Sequence, residues 1–205
     1  MNPFERLFKL WAMICKMIMD GVRDAEEVAN ILQGIVDGPA NVAKKVVRRL
    51  RLTRMLFGGV VLSATTGREV ETAKAVFDGY CDPAFLEGAE NEQPEGECAL
   101  DVEEIMVDGK YRQIFGGFGR DLDELAMSRS RITAFCRDHR DKLRGGGYGT
   151  FLLFKRQKFF FVAGVYVDDG GQLNVSVDPL SHDDVWYAEF QLRIVVPQSL
   201  GSPSA

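Results

Sequence analysis

The stretch Gly149-Thr-Phe-Leu-Leu-Phe-Lys-Arg-Gln-Lys-Phe-Phe-Phe-Val-Ala-Gly-Val-Tyr-Val167 reads as two β-strands joined by a two-residue turn at Gln157-Lys158. Its aromatic and β-branched residues suit a pleated, packed surface, and Phe159 to Val167 is apolar on both faces, as a central strand is. Two further strand-like runs follow, Gln172 to Asp178 and Val185 to Val196, set apart by Asp168-Asp169-Gly170-Gly171 and Pro179 to Asp184. Links this short predict a four-stranded antiparallel meander. In the last run Trp186, Ala188, Phe190, Leu192, Ile194 and Val196 alternate with Tyr187, Glu189, Gln191 and Arg193, which predicts one packed face and one wet face.

Working upstream, Ile132, Phe135, Cys136, His139 and Leu143 trace one face of a helix that starts at Ser130 and ends at Gly145-Gly146-Gly147, and this helix is expected to pack on the sheet. Asp108-Gly109 predicts a hairpin spanning Val102 to Phe115. Thr66 with Glu69 spells a capping box for a short helix carrying Val70, Ala73, Val76 and Phe77. At the N-terminus, apolar residues from Phe4 to Met19 recur at helical spacing. A second capping box, Asp24 with Glu27, opens a helix through Val36, and a third helix is expected from Ala40 to Phe57, stopped by Gly58-Gly59. The class is therefore α+β. The expected organisation is a three-helix module over 1–57, a mixed segment over 58–109 with an acidic loop at 80–99, a helix-plus-sheet part over 110–197 with one packed helix, and a disordered tail over 198–205.

Charge along the chain is segregated. Between Gly38 and Arg68 there are seven basic residues and no acid, while residues 75–109 carry eleven acids and no Lys or Arg, within a chain of 205 residues and net charge −5. A concentrated basic run steers association through local potential whatever the net charge. Lys44, Lys45, Arg48, Arg49, Arg51 and Arg54 are the candidate contacts to a nucleic acid or to an acidic protein surface. Three helices with a basic third one also satisfy the outline of a helix-turn-helix unit, although any trihelical bundle does. The acidic loop is expected to be mobile and to fold back over the basic helix as a competitor for external anions.

A second nucleic-acid pattern lies in the strands. Tyr148, Phe151, Phe154, Phe159, Phe160, Phe161 and Tyr166 interleave with Lys155, Arg156 and Lys158, a composition that can stack bases and hold phosphates. The simpler reading places most of these rings in the core.

Catalytic motifs are weak. Phe115-Gly-Gly-Phe-Gly119 lacks the Lys and Ser/Thr of a P-loop and the third glycine of a dinucleotide fingerprint. Cys136 and His139 share a helix face but lack further ligands. Asp178, His182 and Asp183 could gather around a divalent cation, the basis of a metal-assisted hydrolase or nuclease alternative, with Asp168, Asp178 and Glu189 as the carboxylate set of the nuclease form. The four cysteines match no knuckle spacing, and no cofactor is implied. Leu7 to Met19 is broken by Lys9 and Lys16, so neither a signal peptide nor a membrane span is expected, and cytoplasmic is the default. A protein-protein adaptor is the third class, and the sequence sets no oligomeric state.

Gly21-Val-Arg-Asp-Ala-Glu-Glu-Val-Ala-Asn-Ile-Leu-Gln33, Ile114-Phe-Gly-Gly-Phe-Gly-Arg-Asp121, His139-Arg-Asp-Lys-Leu-Arg144, Tyr148-Gly-Thr-Phe-Leu-Leu-Phe154 and the closing Val185-Trp to Val195-Val-Pro197 resemble a group of uncharacterised small proteins from reduced-genome bacteria. In that group the N-terminal segment looks like a module attached to differing C-terminal parts. The resemblance implies a two-part organisation and assigns no catalytic residue.

Overall fold

A computed structural model describes residues 3–19, 28 and 52–198. The chain divides into two compact units, Met1–Leu50 and Arg51–Ala205. In the first, helix α1 (Pro3–Met19) forms as its apolar period predicts, with Lys16 favourably placed in the last turn. The expected second helix apart from Val28, most of the third, and residues 199–205 of the expected tail lie outside the described residues.

The second unit is built on one seven-stranded sheet. Its strands are β1 (Thr53–Leu62), β2 (Tyr80–Cys81), β3 (Cys98–Ile105), β4 (Gly149–Arg156), β5 (Phe159–Val167), β6 (Leu173–Pro179) and β7 (Arg193–Pro197). Their order across the sheet is β1-β3-β7-β4-β5-β6-β2, antiparallel except at β7–β4 and β2–β6. The α+β class stands.

Three of the four expected meander strands, β4, β5 and β6, pair as predicted, but the fourth does not continue the meander. Only Arg193–Pro197 of that run is extended, and it inserts between β3 and β4. Ile194, Val195 and Val196 are buried one after another, which is the burial of a central strand and not of an edge. Residues 185–192 form a loop instead. A bridge between Gly109 and Trp186, a bond from the Ala188 amide to the Asp108 carboxylate (2.8 Å) and the left-handed Gln191 (φ 52°) hold it.

Both sheet faces are packed, which corrects the expectation of one wet face. Leu152, Phe154, Ala163, Val165, Val175 and Val195 face one core, closed by α2 (Ala73–Val76), α3 (Pro83–Leu86) and α6 (Arg129–Asp138) through residues such as Phe77, Phe85 and Phe135. Phe151, Leu153, Val162, Ile194 and Val196 face a second core, closed by α4 (Tyr111–Gly116) and α5 (Leu122–Leu125). Helices therefore cover both faces, not one.

Three more expectations change. Strand β1 begins at Thr53, inside the stretch expected to finish the third helix. Gly58-Gly59, expected to stop that helix, bulges the strand; Gly59 takes φ 66° and its amide donates to Asp101 Oδ1 at 3.1 Å. The hairpin around Asp108-Gly109 is absent, because Tyr111, Ile114 and Phe115 are buried at helical spacing in α4. The acidic loop is an ordered connector. Arg129, only 4% exposed, donates to Glu92 Oε1 (2.9 Å) and to the carbonyls of Phe85, Glu87 and Gly88, while Ser128 and Arg131 bind Glu95.

Candidate nucleic-acid interface

Of the basic run, Lys44, Lys45, Arg48, Arg49 and Arg51 lie outside the described residues. Arg54 is described, and it is on a strand rather than a helix. Its half-exposed guanidinium meets Glu104, its cross-strand partner on β3, at 3.1 Å.

The metal candidates are not gathered. His182 places Nε2 2.9 Å from Asp184 and Nδ1 3.9 Å from Asp178, and Asp183 turns away to Lys110 at 2.7 Å. The Asp184 hydrogen bond, then the surrounding carboxylates, raise the His182 pKa above its ordinary value. The buried Tyr111 hydroxyl donates to Asp178 at 3.4 Å, which gives that carboxylate a structural partner. Asp168 closes the β5–β6 turn by accepting from the Gly170 and Gln172 amides and from Asn174, and Glu189 is exposed on the 185–192 loop. Among the described residues no group of three or more His, Cys, Asp or Glu side chains is arranged to hold a metal ion. Cys136 is wholly buried, and burial pushes its thiol far up. His139 Nε2 contacts the Val61 carbonyl at 3.0 Å instead of the thiol.

The end of the β4–β5 hairpin does collect functional side chains. The two-residue turn at Gln157-Lys158, with Gln157 at φ 55°, fixes a register in which Lys155 faces Phe160 and Arg156 faces Phe159. Phe151 and Phe154, deeper in the strand, are core, as the simpler reading has it. Phe159 is 57% exposed, while Phe160 and Phe161 are half-buried, packed against the second and the first core respectively. Each cation of the hairpin lies over a ring: Lys155 5.2 Å from the Phe160 centroid, Arg156 4.5 Å from Phe161 and Lys158 5.6 Å from Phe159.

Two clefts open on either side of this turn. The first, about 270 Å³, is lined by Arg112, Lys158, the three phenylalanines 159–161 and Pro179 to Ser181, with no carboxylate in its wall. Neither Arg112 nor Lys158 forms an ion pair among the described residues, although Arg112 lies near enough to Asp183 to add to the lowering of that carboxyl's pKa, which the Lys110 hydrogen bond leads. The second, about 630 Å³, is lined on one side by Lys155, Arg156 and Gln157 and on the other by Glu87, Glu92, Asp123 and Arg129. There Lys155 pairs with Asp123 at 2.5 Å and Arg156 with Glu87 at 2.6 Å.

Arg112 was hidden in the sequence because its segment reads as a hairpin. The spacing of Tyr111, Ile114 and Phe115 is the signal that places it on the exposed side of α4. No protein-family model, curated protein or solved structure matches the chain.

Proposed function

We propose that the protein is a non-catalytic binding protein that takes nucleic acid, as a single strand, across the end of the β4–β5 hairpin. The observation that carries this reading is the cleft whose wall holds two cations, Arg112 and Lys158, that form no ion pair among the described residues, beside the exposed ring of Phe159. A single strand offers unstacked bases to the ring and phosphates to the cations. Duplex offers only the phosphates, because its bases are already stacked. The basic run Lys44, Lys45, Arg48 and Arg49 in the first unit, with Arg51 at the start of the second, extends the proposal as sequence-independent phosphate contacts.

The test is fluorescence anisotropy with labelled single-stranded DNA, RNA and duplex DNA across a salt series. Phe159→Ala removes a stacking surface worth about 1–3 kcal/mol per base, so single-strand affinity is expected to fall by roughly tenfold while duplex affinity hardly moves. An acidic protein surface, the other partner class, uses the cations without needing the ring. Loss of binding in Arg112→Gln/Lys158→Gln with full retention in Phe159→Ala points there instead.

A further inference from the structure

We infer that Glu87 and Asp123 are built-in competitors for the cations of this hairpin, so that the second cleft rests in a closed, internally paired state which a phosphate backbone must displace. The inference rests on the nucleic-acid reading of the hairpin end and adds its regulation.

The second cleft contains two kinds of ion pair. Arg129 and Glu92 are both largely out of water, at 4% and 13% side-chain exposure, and the same arginine holds three carbonyls of the connector. That pair fixes the wall. Glu87 and Asp123, by contrast, are 70% and 58% exposed, and each reaches a single hairpin cation, Arg156 and Lys155 respectively. Exposed pairs of this type gain little net free energy and are screened by salt, so an incoming chain of phosphates displaces them at small cost.

The cations themselves would stay in place during such an exchange. Arg156 lies over Phe161 and also donates to the Ala84 carbonyl at 3.4 Å, and Lys155 lies over Phe160. The acids come from different elements, Glu87 from the end of α3 and Asp123 from α5, and from opposite faces of the sheet they meet two neighbouring residues of β4 that line one cleft. Among the described residues Lys158 and Arg112, across the turn, form no ion pair, and Arg112 feels Asp183 only at longer range. One end of the surface is therefore the more open, and the other is held shut by carboxylates. A strand that enters at Arg112 and Lys158 reaches Lys155 and Arg156 only by displacing Asp123 and Glu87.

The experiment measures binding of a fluorescein-labelled oligothymidylate to the full chain at low salt. Glu87→Gln/Asp123→Asn is expected to bind roughly three- to tenfold tighter than the wild type, the worth of two weak exposed pairs. The gain should disappear when Lys155→Gln/Arg156→Gln is added to that variant. Asp169→Asn/Glu189→Gln removes the same charge from exposed positions outside both clefts, and an equal gain there would overturn the inference by showing a net-charge effect. So would unchanged affinity in Glu87→Gln/Asp123→Asn when the wild type binds and loses binding in Arg112→Gln/Lys158→Gln, a result that leaves the nucleic-acid reading standing. If neither the wild type nor any variant binds, both fall. Binding by the neutralised variant alone supports a fully closed resting state. Thermal melts by circular dichroism accompany each variant, and the single changes Glu87→Gln and Asp123→Asn, each expected to give part of the gain, replace the double change should it melt early.

Discussion

Arg129 sits in the first turn of α6, and its guanidinium reaches Glu92, Phe85, Glu87 and Gly88, all on the connector some forty residues upstream. Its own amide and that of Ser130 also donate to the Glu92 carboxylate, at 3.0 and 2.8 Å. Arg129→Met would leave Glu92 without its cation and three carbonyls without donors. A loss of about 3 kcal/mol is expected in urea unfolding, and Arg129→Lys should recover less than half of it because an ammonium cannot reproduce the fork. Gly67 stands on the other side of the connector with φ 79°, where an added Cβ would lie 2.5 Å from the Glu92 carbonyl oxygen. Gly67→Ala is expected to cost about 1–3 kcal/mol by the same measurement. Neither residue announces itself in the sequence. An acid-rich segment with Gly and Pro has the composition of a mobile loop, and the arginine that orders it lies at a separation of 37 residues, which no local pattern encodes.

Elements were legible where period, length and turn chemistry agreed. The β4–β5 hairpin is such a case: both runs, the two-residue turn and the central position of β5 follow from residues 149–167 alone. The 185–196 run is the opposite case, since the alternation from Trp186 to Val196 fits a strand while the contacts that bend its first half come from Asp108 and Gly109, far away in sequence. His182 belongs to the turn that leads into this loop, faced by Asp178, Asp183, Asp184, Lys110 and the Tyr111 ring. Its folded pKa is raised, first by the Asp184 hydrogen bond. The stabilisation it contributes is thus complete below the unfolded pKa, about 6.5, and is lost as pH rises through the higher folded value. With two histidines in the chain, an NMR titration resolves His182 directly. The expected midpoint lies above 6.5 in the wild type and moves down in Asp184→Asn.

At the scale of the whole molecule, the helices covering both sheet faces explain why strand alternation misled. Leu152 and Leu153, or Val195 and Val196, are neighbours in sequence yet feed opposite cores, so consecutive apolar residues here mean two packed faces. They also explain where a binding surface can be. With both faces closed, β4 and β5 reach solvent at their hairpin end, and there the chain places Lys155, Arg156, Lys158 and Phe159. The other concentration of positive charge, Lys44 to Arg51, falls in or at the boundary of the first unit, which sets up a test of whether one strand engages both. Each phosphate neutralised on a single strand contributes about −0.7 to the slope of log affinity against log salt. Arg112→Gln/Lys158→Gln and a quadruple change of Lys44, Lys45, Arg48 and Arg49 to Gln should each flatten that slope, by about 1.4 and up to about 2.8 respectively. If one strand spans both units, the second contact forms at high effective concentration, and the combined variant loses the sum of the two free-energy changes. If the units bind separate strands, the weaker site contributes nothing at low protein concentration, and changing it leaves both affinity and slope as they were. Slope and affinity measured on the same four proteins, wild type, hairpin variant, basic-run variant and their combination, separate the two arrangements.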